Sequence, residues 1–215
     1  SRVTARASVG RQGIINIERD VAMSGPIQQK AAMILQGYLA GKYARKMPLS
    51  FDCSITFEQN YGGVEGDSAS LAEAVAVISA ISQIPARQDI AITGSMNQRG
   101  EAQVVGGVIQ KIEGFFRACA ETSIGLTGTQ GAIVPAANAK NLVLSREVSE
   151  AVSAGTFHIW TVETLEDALT ILLKLDVEYD VRHSSEQFSA MIDSKVEDEL
   201  ANFTSHLDRC MSKKD

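Results

Sequence analysis

The sequence has no cluster of metal-ligating residues. His158, His183 and His206 are scattered and no cysteine pair shows the CxxC spacing, which argues against a zinc site. Its cysteines, Cys53, Cys119 and Cys210, are odd in number and far apart, so no disulfide framework is expected and a reducing compartment is. Positive charge is in short supply: a net charge of −6 leaves no basic footprint for nucleic acid. No apolar run reaches membrane-crossing length and no signal peptide is visible, so no membrane is expected as a partner and the expected localisation is cytoplasmic. There is no internal repeat, no low-complexity tract and no G-x-x-x-x-G-K-[ST] segment to cradle phosphate. Methionine is absent from the first position, and the expectation is that the chain is an excised piece of a longer one.

What is present is enough apolar material, 45% of 215 residues, to bury a substantial core in one large domain, or in one domain with an appendage. Val3, Ala5, Ala7 and Val9 alternate, Gly10-Arg11-Gln12-Gly13 turns, and Ile14 to Glu18 looks extended, which predicts a β-hairpin. Ser24-Gly25-Pro26 starts a helix whose stripe is Ile27, Ala31, Ile34, Leu35, Tyr38 and Leu39. A strand follows over Phe51 to Glu58, with Phe51, Cys53, Ile55 and Phe57 on one face, then a glycine-rich turn and a helix from Ala69 to about Ser82 that is apolar on two faces. Further strands are expected at Gln88 to Thr93, Glu101 to Val105, Ala132 to Val134 and Phe157 to Val162. Helices are expected at Val108 to Ala120, Arg146 to Ala154 and from Thr164 to Lys174, the last opened by a capping box with Asp167 at its third position, while Asn138 is placed to cap a helical turn. The fold class is α+β, a mixed β-sheet covered by helices. Residues 176–215 form a C-terminal helical extension of the domain spanning 1–175; its amphipathic stripe is Phe188, Ile192, Val196, Leu200, Phe203 and Leu207, suited to packing on its own domain or to binding a partner.

The chemistry centres on Gly62-Gly63-Val64-Glu65-Gly66-Asp67-Ser68-Ala69-Ser70, a glycine-rich turn from strand into helix. Such a turn exposes a side chain among the free N–H groups of a helix start, where developing negative charge is stabilised. Ser68 sits there as the candidate nucleophile, and a serine hydroxyl needs a base. Gly66-Asp67-Ser68 echoes the chymotrypsin-type serine, but every histidine follows Ser68, against that family's chain order. A GDSL-type esterase would use Asp180-Val181-Arg182-His183, although Ala69 departs from its motif. A phosphate cradle suits the helix start but not the charges of Glu65 and Asp67. Lys111, near the start of an apolar helix, becomes a base if Val104, Val105, Val108 and Ile109 desolvate its amine; from spacing alone it reads far more readily as an ordinary lysine snorkelling off its helix.

Three segments in order tip the balance: Gly62 to Ser70, then Ile92-Thr93-Gly94-Ser95-Met96-Asn97-Gln98-Arg99-Gly100-Glu101, then Gly106-Gly107-Val108-Ile109-Gln110-Lys111-Ile112-Glu113-Gly114. Together they resemble the proteolytic domain of Lon proteases, of the type with G-D-S-A-S at the nucleophile, and the likeness runs over roughly residues 1 to 175 through Ala132 to Asn138 and Val162 to Leu169. Ser68 and Lys111 stand 43 positions apart, as the resemblance to that family's Ser–Lys dyad leads one to expect. The resemblance implies an endopeptidase acting on unfolded or damaged proteins through an acyl-enzyme, with Ser68 as nucleophile, Lys111 as general base, Thr93 hydrogen-bonded to the lysine, and Glu65 and Asp67 as acidic positions that either raise the lysine pKa or shape the loop. It implies a homo-hexamer joined in the full-length chain to an ATPase. No cofactor is then expected in this domain, and ATP with magnesium belongs to the ATPase region. A non-hydrolytic binding or assembly module of the same fold is the alternative.

Overall fold

A computed structural model of the chain describes residues 1–45, 48–173 and 185–212. The first sheet is built on β3 (Phe51–Glu58), flanked by β1 (Arg2–Val9) and β2 (Gly13–Asn16). The hairpin expected from the first eighteen residues does not form. β1 pairs antiparallel with β3, Ala5 opposite Ile55, while β2 runs parallel to β3 on its other edge, Ile14 opposite Cys53. The reason is that β3 carries Phe51, Cys53, Ile55 and Phe57 on one buried face and is covered by a strand on each edge. The intervening turn wraps the end of β3: Gln12 N–H donates to Asp52 Oδ1 (2.6 Å), and a Cβ on Gly10 would meet Asp52 Cγ at 2.0 Å. The extended reading of Ile14 to Glu18 also ends early. Asn16 Oδ1 accepts from Arg19 N–H (3.0 Å) and caps the short helix α1 (Ile17–Asp20).

Helix α2 (Pro26–Tyr43) begins with proline at its first position, as expected. Its buried face is rotated from the predicted stripe: Ile27 is 52% exposed, while Gln28, Ala31, Ala32, Leu35, Tyr38 and Leu39 are buried. α3 (Ser70–Ser82) is buried on two faces, with Leu71, Val75 and Ile78 on one and Ala74, Val77 and Ile81 on the other.

A second, all-parallel sheet has the order β4-β7-β8, from β4 (Ile90–Ile92), β7 (Gly131–Pro135) and β8 (His158–Val162). Between β4 and β7 the chain makes a small hairpin, β5 (Ser95–Met96) and β6 (Ala102–Gln103), then α4 (Val108–Ala120). After β7 come a 3-10 turn (Ala136–Asn141), α5 (Arg146–Ser153) and, beyond β8, α6 (Leu165–Leu172). α6 opens with the expected box: Thr164 Oγ1 accepts from Asp167 N–H, and Asp167 Oδ2 accepts from Thr164 N–H. The class is α+β, with the strands among the described residues divided among three small sheets, the first of them mixed.

Two apolar cores result. The larger joins β3, α2, α3 and α6, and α7 (Ser185–Met211) lays Phe188, Ile192, Val196 and Leu200 into it. The long helix therefore spends its stripe on its own domain. Lys42 of α2 ties it down further, bonding Glu166 (2.8 Å) of α6 and Asp193 (2.9 Å) of α7. The smaller core packs Val108, Ile112 and Phe116 of α4 against Ala132, Val134, Val148 and Phe157. The boundary expected after residue 175 and the Asp180–His183 pair lie outside the described residues. No described helix is long and apolar enough to cross a membrane.

Candidate active site

The glycine-rich turn leaves β3 and enters α3 through Gly66, whose φ of 92° favours glycine, so that Asp67 and Ser68 stand immediately before the helix. Backbone bonds fix this segment against the neighbouring strand end. Gly94 N–H donates to the Ser68 carbonyl (2.8 Å), and Leu71 N–H donates to the Gly94 carbonyl (3.1 Å). Gly94 has no room for a side chain, since a Cβ there would meet Leu71 Cδ1 at 2.4 Å. Ser70 Oγ donates to the Asp67 carbonyl (2.7 Å) and accepts from Met96 N–H (3.2 Å).

Lys111 arrives from the other core. On α4 the buried residues Val108, Ile112 and Phe116 repeat every four positions, and Lys111 lies one residue before Ile112 of that stripe. Its Nζ donates to Ser68 Oγ (2.7 Å) and to Thr93 Oγ1 (3.1 Å). Thr93 Oγ1 in turn donates to the Ser68 carbonyl (3.2 Å). With its only hydrogen used there, the threonine offers lone pairs to Nζ, which orients the amine toward Ser68. Lys111 is exposed as a residue, but its amine is partly withdrawn from water. That burial lowers its pKa, while the charge of Asp67 acts in the opposite direction.

The structure thus brings Ser68, Lys111 and Thr93 together. The two acidic residues part company. Asp67 stays near the amine, and its Oδ2 accepts from Ser95 Oγ (2.9 Å). Glu65 turns to the start of α2, where Oε1 accepts from Ile27 N–H (3.4 Å) and the carboxylate fills the space a Cβ on Gly25 would occupy. A carboxylate at a helix N-terminus is favourably placed. Val64 bonds the same region, its N–H donating to the Met23 carbonyl (2.8 Å) and its carbonyl accepting from Gly25 N–H (2.9 Å).

Asn138 is a correction. It does not cap a helical turn but clamps the loop before α4: its Nδ2 donates to the Val105 carbonyl (2.9 Å) and its Oδ1 accepts from Val105 N–H (3.1 Å). Asn138→Ala leaves both Val105 backbone groups unpaired and is expected to cost about 1–3 kcal/mol of stability. Urea denaturation measures it, and an Asn138→Ala protein as stable as wild type would refute the clamp. Ser70, Ser95 and Asn138 were not legible as site residues, because isolated polar positions carry no periodic signal.

A hydroxyl near a helix start, hydrogen-bonded to an amine that burial pushes toward its neutral form, has the geometry that proton transfer from hydroxyl to amine needs. The particular family follows from comparison with known proteins. Residues 52–175 match the Lon protease (S16) C-terminal proteolytic domain, and the chain belongs to that family. It is 45% identical over 175 residues to a putative Lon protease homolog of Escherichia coli strain K12, covering 81% of this chain and 30% of that protein. A putative Lon protease homolog of Haemophilus influenzae is 40% identical over 200 residues, covering 92% of this chain and 33% of its own length. An archaeal Lon protease of Pyrococcus abyssi is 36% identical over 189 residues, covering 80% and 17%. The chain spans about a third or less of the curated relatives it matches.

Proposed function

We propose that the chain is a serine endopeptidase domain in which Ser68 attacks the peptide carbonyl and Lys111 is its general base. The observation that carries this is the 2.7 Å contact between Lys111 Nζ and Ser68 Oγ, with Thr93 on the same amine. In the neutral amine, one N–H stays on Thr93 and the lone pair accepts the Ser68 proton as Oγ bonds to the carbonyl carbon. The resulting ammonium returns that proton to the departing amine, leaving an acyl-Ser68 ester, and the amine then deprotonates the water that hydrolyses it. The backbone N–H of Ser68, at the start of α3, faces the developing oxyanion in this scheme. Unfolded or damaged proteins are the substrates we assign, delivered by an ATPase region of the full-length protein within a homo-hexamer in the cytoplasm. That region, not this domain, would use ATP and magnesium, and no nucleic acid, membrane or other cofactor enters the scheme.

The test is the pH dependence of casein hydrolysis. A base must be unprotonated, so kcat/KM rises with pH through the Lys111 pKa, at a limb below the ordinary lysine value of about 10.4. Asp67→Asn keeps an acceptor for Ser95 but removes the charge that raises Lys111, so the limb moves to lower pH. A limb that stays put, or moves up, would count against Lys111 as the titrating base.

A further inference from the structure

Gln28 and Glu73 are each 1% exposed and face one another between α2 and α3. Gln28 Nε2 donates to Glu73 Oε1, yet Glu73 Oε2 and Gln28 Oε1 are both buried with no hydrogen-bond partner. Two unpartnered acceptors on one buried hydrogen-bonded pair are costly, and a proton on Glu73 Oε2 supplies a donor that Gln28 Oε1 can accept. Both ends of the nucleophile segment meet the start of α2: Glu65, three residues before Ser68, reaches Ile27 N–H, and Glu73, five residues after it, reaches Gln28. Glu73 N–H also bonds the Ala69 carbonyl (2.9 Å), one peptide from Ser68.

We propose that Glu73 is a positioning residue for Ser68 that works as a neutral carboxylic acid: its Oε2 carries a proton donated to Gln28 Oε1, closing a two-bond acid–amide pair that seats the nucleophile segment on α2. This rests on the reading of Ser68 as nucleophile. The surroundings favour the neutral form. Burial raises the Glu73 pKa to about 7, opposed by the Gln28 bond and reinforced by the charge of Glu18 on α1. Glu18 is itself held by Thr56 Oγ1 and Phe57 N–H of β3. The other elements on α3 bring apolar groups to the shared core: Val3 and Ala5 from β1, Met96 from β5, Leu169 from α6 and Ile192 from α7.

Glu73→Gln supplies the same donor and acceptor without a titrating proton. A carboxyl whose folded pKa lies above its unfolded value gives stability that is full at low pH and lost as pH rises through the folded value. Melting temperatures are measured for wild type and Glu73→Gln from pH 5 to 8.5, together with the rate of Ser68 labelling by a fluorophosphonate. The expected result is that the melting temperature of wild type relative to the variant falls as pH rises to about 7 and then levels, while the labelling-rate ratio, which reads only the folded protein, stays level at low pH and falls as pH passes through about 7. A difference in melting temperature that is constant, or grows with pH, overturns the neutral acid; a flat labelling ratio overturns the positioning role. The carboxyl 13C resonance of Glu73 in wild type reads the same protonation without any variant, and a carboxylate shift at pH 5.5 overturns the proposal. Absence of labelling in every protein at every pH strikes at Ser68 as nucleophile, a failure distinct from any change in the melting comparison.

Discussion

Lys111→Ala is expected to lower kcat for casein hydrolysis by the contribution of the general base proposed for it, roughly 10²–10⁴-fold. Lys111→Arg is equally inactive, although it keeps a positive charge and hydrogen-bond donors, because a guanidinium stays protonated and cannot accept the Ser68 proton. Ser68→Ala removes the proposed attacking atom and is expected to be at least as damaging. The double variant is no worse than Ser68→Ala, since residues that act as one unit are not additive. Single-turnover assays of the full-length protein check all four. If Lys111→Arg retains activity, the lysine acts as a charge or a prop rather than as a base.

The second large effect falls on the route by which Lys111 is delivered. Phe157 is fully buried in the smaller core and stands edge-to-face against Phe116 of α4 at 5.3 Å between centroids. Phe157→Ala is expected to cost about 3–5 kcal/mol, a large share of the ~5–15 kcal/mol that holds a typical domain together. It also loosens the seat of α4, so activity falls at temperatures where the variant is still folded. Leu200→Ala, in the larger core under α7, is the control: about 2–5 kcal/mol of stability goes, but α4 keeps its seat and kcat per folded molecule does not change. Urea denaturation and activity measured well below both melting points separate the two. Equal activity losses at equal stability losses would mean that the smaller core has no special hold on the site.

Local signals made much of this fold legible. The alternation of Phe51, Cys53, Ile55 and Phe57 marks β3, the four-residue repeat of Val108, Ile112 and Phe116 marks α4, and Thr164 with Asp167 marks the start of α6. The failures are long-range. A strand inserting between β1 and β2 leaves no trace in residues 2–16, where the alternation and the turn read as a hairpin. The buried face of α2 includes Gln28, bonded to Glu73 45 positions away, and a buried glutamine looks like a surface residue in any periodic reading. The Asn16 cap leaves no distinct signal, because an extended run through Asn16 fits the same residues equally well.

The candidate site was legible in two unequal ways. Ser68 was singled out from residue chemistry, by its place between a glycine-rich turn and a helix. Residue chemistry offers Lys111 only as one of several bases and Thr93 not at all; the family resemblance selects both, because a lysine on a helix and a threonine at a strand end are ordinary on their own. The structure brings all three within hydrogen-bond reach. Glu65 and Asp67 were a pair in the sequence with two roles open between them. Only the three-dimensional arrangement separates them, one beside the lysine's charge and one at the start of α2.

The most direct test of the Ser68–Lys111 account is the intact mass of the protein after brief incubation with a slowly deacylating ester, followed by peptide mapping. The account predicts one acyl adduct, on Ser68, in wild type and none in Lys111→Arg at the same pH. An adduct on another residue, or an equal yield on Ser68 without the lysine, would contradict it.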